Sequence, residues 1–97
     1  MPSYLSLLNW TEKGIGIVKD SPQRVDAAKQ AVSQAGGRII FVYMLMGEHD
    51  IAVVTEFPDD QTAARFLLGL AQQGNVRSTT MKAFTENEMR EIIGGLP

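Results

Sequence analysis

The chain has 97 residues, enough for one small core and no second domain. Its 44% hydrophobic and 21% charged residues describe a globular chain rather than a disordered one. Nine Lys and Arg against eleven Asp and Glu leave a formal charge of −2, so no concentrated basic surface is available to grip a nucleic-acid backbone. There is no cysteine and a single histidine, which removes disulfides, thiolate metal sites and cysteine nucleophiles from consideration and argues against a transition-metal site. No apolar run reaches membrane-spanning length, and Met1-Pro2-Ser3-Tyr4 lacks the layout of a signal peptide. The expected setting is cytoplasmic, with no membrane partner and no cofactor.

Residues Ser3 to Trp10 read as a strand with apolar groups on both faces. Thr11 to Lys19, with Gly14 and Gly16, reads as a loop or short turn. Ser21-Pro22 is a helix start, with the serine expected to cap and proline tolerated in the first turn. Val25, Ala28, Val32 and Ala35 then form one apolar stripe, which Gly36-Gly37 ends. Arg38 to Met46 is a nearly continuous apolar strand, and His49 to Phe57 is another. Gly47-Glu48 between them suits a two-residue type II′ hairpin. Pro58-Asp59-Asp60 opens a second helix carrying Ala63, Phe66, Leu67 and Leu70, which Gly74-Asn75 closes. Val76 to Phe84 is the fourth strand. Thr85 and Glu88 form a capping box that starts a third helix bearing Met89, Ile92 and Ile93.

Strand, helix, strand, strand, helix, strand is the order of a ferredoxin-like α+β fold: a four-stranded antiparallel sheet, here with an extra C-terminal helix. Under the two-residue hairpin, Met46, Met44 and Val42 pair with His49, Ile51 and Val53 on one face. Leu45, Tyr43, Phe41 and Ile39 pair with Asp50, Ala52, Val54 and Glu56 on the other. The first set suits a core under helices. A second face carrying Phe41, Tyr43 and Leu45 is too apolar for water, and a second copy of the chain is expected to cover it.

These residues together carry a resemblance. Pro2-Ser3-Tyr4, Thr11, Gly14, Pro22 and Arg24 are similar to the first half of the GYD domain family. Gly47-x-x-Asp50, Glu56-x-Pro58-Asp59-Asp60, Gly74-Asn75-Val76-Arg77, Thr80 and Ala83-Phe84 resemble its signature and second half. His49 stands where the signature has tyrosine. The resemblance covers nearly the whole chain, with residues 1–97 expected to form one domain, and implies a dimeric α/β barrel, in which two sheets face each other. Wider relatives include cofactor-free monooxygenases, isomerases and haem-handling proteins, a fold-level analogy that names no reaction.

Two groups could carry chemistry. His49 and Asp50 are adjacent, so on a strand they point to opposite faces. One reading makes them a turn-edge histidine and a hydrogen-bonded aspartate that secure the hairpin. The other makes His49 a proton shuttle. Phe41, Tyr43, Asp50 and Glu56 share a face on this register, and acids among aromatics suit a ligand pocket. A buried, unpaired Glu56 would serve as a general base; paired with Arg38 or Lys82, or capping the Pro58 turn, it is structural. Ser78, Thr80 and Lys82 alternate onto one face of the fourth strand, either as a polar pocket wall including Thr80 or as a solvated edge. The expectation is a homo-oligomeric domain that binds a small organic molecule or acts as an accessory module. The alternatives are a cofactor-independent isomerase or monooxygenase with Glu56 or His49 as proton acceptor, and a purely structural assembly domain.

Overall fold

The computed structural model describes residues 1–97. In chain order the elements are β1 (Ser3–Trp10), α1 (Glu12–Gly16), a 3-10 turn (Val18–Asp20), α2 (Ser21–Gln34), β2 (Arg38–Met44), β3 (Ile51–Glu56), α3 (Asp60–Gln72), β4 (Val76–Ala83) and α4 (Glu86–Gly94). The four strands form one antiparallel sheet in the order β2-β3-β1-β4. This is the ferredoxin-like βαββαβ arrangement with an added C-terminal helix. Helix α2 packs on β2 and α3 on β4, so the two helices sit over the flanks of one sheet face.

Local chemistry explains most boundaries. The Asp59 side chain accepts from the Thr62 amide, and Thr85 and Glu88 form both halves of a capping box. Gly36 ends α2 at φ +83°, a left-handed backbone that suits glycine. Residues 11–19 are more regular than a loop. Thr11 caps the short α1, accepting from the Gly14 amide at 3.0 Å while donating its hydroxyl proton to the Gly74 carbonyl at 2.6 Å. That pair of bonds pins the turn after β1 to the turn before β4.

Three expectations need correction. Ser21 does not cap α2: the preceding 3-10 turn is already helical at Asp20, so no extended residue is left to present a side chain. The hairpin is wider than two residues. Leu45 N donates to the Asp50 carbonyl at 2.7 Å, whereas the Asp50 amide turns to the Leu8 carbonyl at 2.9 Å. Anchoring to β1 ends the β2–β3 ladder early. Finally, the ladder has a bulge between Ile39 and Phe41, so Arg38 rather than Ile39 stands opposite Glu56. From Phe41 to Met44 the expected pairing holds.

Only 10 of the 97 residues are buried, so the packed core is small. Tyr4, Val32, Phe57 and Ala63 form it, with Ala35, Ile39 and Phe66 against them. The Phe57 ring meets Tyr4 edge-on at 6.0 Å and Phe66 at 5.5 Å. The Tyr4 hydroxyl donates to the Asp60 carboxylate, which also faces Lys82 at 3.6 Å.

Two outcomes follow from this packing. A Cβ on Gly14 would lie 1.9 Å from the Asn75 carbonyl oxygen, whereas one on Gly16 would meet nothing within 4 Å. Gly14→Ala should therefore lower unfolding free energy by about 1–3 kcal/mol in urea titrations, and Gly16→Ala should leave it unchanged or raise it by up to about 1 kcal/mol. Burial, and then the bond and charge of Asp60, push the Tyr4 phenol from 10.0 up to about 12. The unfolded chain then ionises first, so this contribution is intact below pH 10 and declines as pH climbs toward 12. Urea midpoints at pH 9 and pH 11 should differ less in Tyr4→Phe than in the parent chain.

Candidate functional site

The sheet has two contrasting faces. On the face turned from the helices, β1 presents Leu5 and Leu7, β3 presents Val54, β2 presents Phe41 and Tyr43, and β4 presents Met81. The Phe41 and Tyr43 rings stack, with centroids 4.9 Å apart and planes inclined by 29°. Tyr43 is 62% exposed and Met81 is 42% exposed, and no element of the chain lies over them. Large apolar groups in a continuous uncovered patch are unusual for an isolated domain.

Of the residues singled out by sequence, this face brings together Phe41, Tyr43 and Glu56. The Glu56 carboxylate is only 18% exposed and accepts from Arg38 Nε at 2.5 Å. The bulge at Ile40 creates that pairing by moving Arg38 opposite Glu56. A charge-assisted bond of this kind fixes the Glu56 carboxylate against Arg38.

Asp50 does not join them. One carboxylate oxygen accepts from the Trp10 amide at 2.9 Å, so the side chain caps the end of β1. His49 lies beside it but engages a different partner: Nδ1 and Asn9 Oδ1 are 2.8 Å apart. Because Asn9 Nδ2 donates to the Glu48 carbonyl at 2.8 Å, Oδ1 is the acceptor and the imidazole proton sits on Nδ1. Both residues thereby fasten the β2–β3 connection to β1. Thr80 lies on the opposite, helix-covered face, where its hydroxyl is 2.8 Å from that of Ser6 and also bonds Ser78. Lys82 reaches Asp60 on that same side. The β4 row is therefore not a wall of the Phe41–Tyr43 patch, because its alternation places Thr79 and Met81 there instead.

Sequence reasoning missed a second feature. Because α2 and α3 stand over opposite flanks, they leave the middle of the sheet open between them. The result is a cleft of about 690 Å³, floored by Leu8, Val42, Ile51 and Val53 and walled by α2 and α3. A smaller hollow of about 180 Å³ beside Trp10 and Pro22 shares residues with it. Arg24 and Arg65 are the only charged residues that line the cleft. Arg24 is steadied by a 3.2 Å bond to the Ile17 carbonyl. In the same lining, Asn75 Oδ1 is buried without a hydrogen-bond partner. The available signal was the alanine-rich side of α2, with Ala27, Ala28 and Ala31, whose side chains are too short to reach α3. No group of three or more His, Cys, Asp or Glu side chains gathers to hold a metal ion.

The C-terminal helix adds a third surface. Met89, Ile92 and Ile93 are each roughly half exposed, and α4 has no substantial packing contact with another element. No helix is long and apolar enough to cross a membrane.

Comparison with known proteins agrees with this architecture. The chain is 31% identical over 84 residues to the glutamine synthetase and cystathionine beta-lyase binding protein of Thermus thermophilus, covering 86% of this chain and 88% of that one. The solved structure of MtbAldR superposes with a TM-score of 0.69 at 16% identity over 88% of this chain, which spans 52% of MtbAldR. The Thermus thermophilus protein TTHA0845 superposes with a TM-score of 0.55 at 20% identity, covering 88% of this chain and 95% of that one. At such identities the two structures speak for the fold alone. The GYD domain profile matches residues 4–93, nearly the whole length, and the chain therefore belongs to the GYD domain family.

Proposed function

We propose that the protein is a small cytoplasmic accessory domain that pairs through its open sheet face and docks on a protein partner. The carrying observation is the uncovered patch of Leu5, Leu7, Val54, Met81 and the stacked Phe41–Tyr43 rings. A second copy is the occupant best matched to it. The centre of the patch is apolar and without charge, and its one acid is neutralised within the chain by Arg38. Two such faces meeting symmetrically remove apolar surface from water without stranding a charge. Any small organic ligand of this face would lie between the two sheets, against Tyr43. The Thermus thermophilus relative is named for binding two enzymes, which supports a role through protein contact. The apolar side of α4 is the surface that sheet pairing leaves available, in the manner of an amphipathic helix that enters a partner's groove.

Glu56 and His49 both have close partners inside the chain. That favours binding over proton transfer as the work of this face.

Sedimentation equilibrium at micromolar concentration should return twice the 10.6 kDa of one chain, and Phe41→Asp with Tyr43→Asp should return a single chain. A parent protein that sediments as a monomer would remove the basis of the reading. Ile92→Asp should stay dimeric while losing co-sedimentation with purified glutamine synthetase, if that enzyme is a partner here as in the relative.

A further inference from the structure

We propose that the cleft between α2 and α3 binds a small amphiphilic carboxylic acid, with its alkyl or aryl part on the sheet and its carboxylate on Arg24 and Arg65. This site lies on the helix side of the sheet, and it does not depend on what covers the other side.

The volume comes first. About 690 Å³ falls within the range of small-molecule sites, roughly 300–1,000 Å³. It is far more than a packing defect in a domain of this size, whose interior should hold few voids larger than a water molecule. The floor explains why water is a poor occupant. Val42, Ile51 and Val53 are only half-buried although they sit on interior strand positions. Apolar side chains on that floor give water few hydrogen-bond partners, so an apolar group gains by displacing it.

Charge then narrows the class. The chain carries a net negative charge, yet both ionic groups lining the cleft are arginines, one from each helix. Neither forms an ion pair with an acid in the structure. A guanidinium presents a planar fork that matches a carboxylate, and apolar surroundings strengthen such a bond. A cationic ligand would be repelled by both guanidinium groups, and a neutral one would bring them no opposite charge. Asn75 Oδ1, buried and lacking a donor, lies in the lining and would accept from a hydroxyl or amide on the ligand.

One competitor has the same chemistry on a larger scale. Helix α4 of a neighbouring copy offers Met89, Ile92 and Ile93 beside Glu86 and Glu91. Glu86, the acid beside that apolar stripe, is already held by Arg90 at 2.7 Å, so the helix brings no free carboxylate from that position to the arginines. The small acid is therefore the occupant argued for, and the helix is an outcome of the test.

Trp10 is the sole tryptophan and lines the cleft, so its emission reports occupancy directly. The full chain would be titrated with octanoate, octan-1-ol and octylammonium at pH 7. Octanoate should shift Trp10 emission saturably, at least about tenfold more tightly than the alcohol, with octylammonium weakest. Arg24→Gln with Arg65→Gln should abolish the preference for octanoate over the alcohol, and Lys19→Gln with Lys29→Gln, exposed cations outside the cleft lining, should preserve it. Equal titration by all three amphiphiles, no saturable shift, or a preference that survives loss of both arginines would overturn the proposal. So would octanoate binding that emerges only in Ile92→Asp, since that result gives the cleft to a neighbour's α4.

Discussion

A four-stranded sheet has two faces, and this chain supplies only two long helices to cover them. Its strands nevertheless carry apolar side chains on both sides: Leu8, Val42, Ile51 and Val53 toward the helices, and Leu5, Leu7, Val54 and Phe41 away from them. Leaving such surface in water costs roughly 25 cal/mol for each Å². That imbalance shapes everything else. The helix-side deficit shows as a cleft between α2 and α3, and the opposite side shows as an uncovered aromatic patch. The helix side is also the more polar of the two in places, because Ser6, Thr55, Thr80 and Ser78 all point inward. With Leu5, Leu7, Val54 and the Phe41–Tyr43 pair facing outward, the open side of the sheet carries more apolar surface than water favours.

Much of the fold was legible because its signals are local. Glycine at Gly36, the Asp59 cap and the Thr85–Glu88 box each act within one turn, and they mark the element ends they should. The alternation of β2 and β3 also placed Phe41 and Tyr43 on one face correctly. What failed was non-local. Nothing near Ile40 in the chain announces a bulge, yet one residue there exchanges the partner of Glu56 from Ile39 to Arg38. The width of the hairpin is set by β1, through the Leu8 carbonyl and the Trp10 amide, far earlier in the chain. The inward direction of Thr80 follows from its pairing with Ser6, again a contact between distant strands.

The same distinction applies to the candidate chemistry. Arg38 was already one of the partners the sequence offered for Glu56, whereas the partners of His49 and Asp50 lie on β1, out of sight in the linear chain. In the fold, Asn9, Trp10 and Arg38 engage His49, Asp50 and Glu56 in turn. Two of these contacts fasten the β2–β3 connection to β1, so His49, at the position of the family's signature tyrosine, takes part in architecture. The cleft residues went unnoticed for the opposite reason. Arg24 and Arg65 are ordinary helix-surface residues until α2 and α3 are seen to stand apart. The chain belongs to the GYD domain family, and the relative to which it is 31% identical over 84 residues is named for binding two enzymes.

Whether a second copy lies on the sheet face is open to direct observation in solution. Methyl NMR with a soluble gadolinium chelate reads which side chains meet solvent, independently of molecular mass. The account predicts that Leu5, Leu7 and Val54 keep sharp signals while Leu68 and Met46, which are 70% and 97% exposed within one chain, broaden strongly. Equal broadening of the two sets would show the sheet bare to water and contradict the pairing of two copies across it.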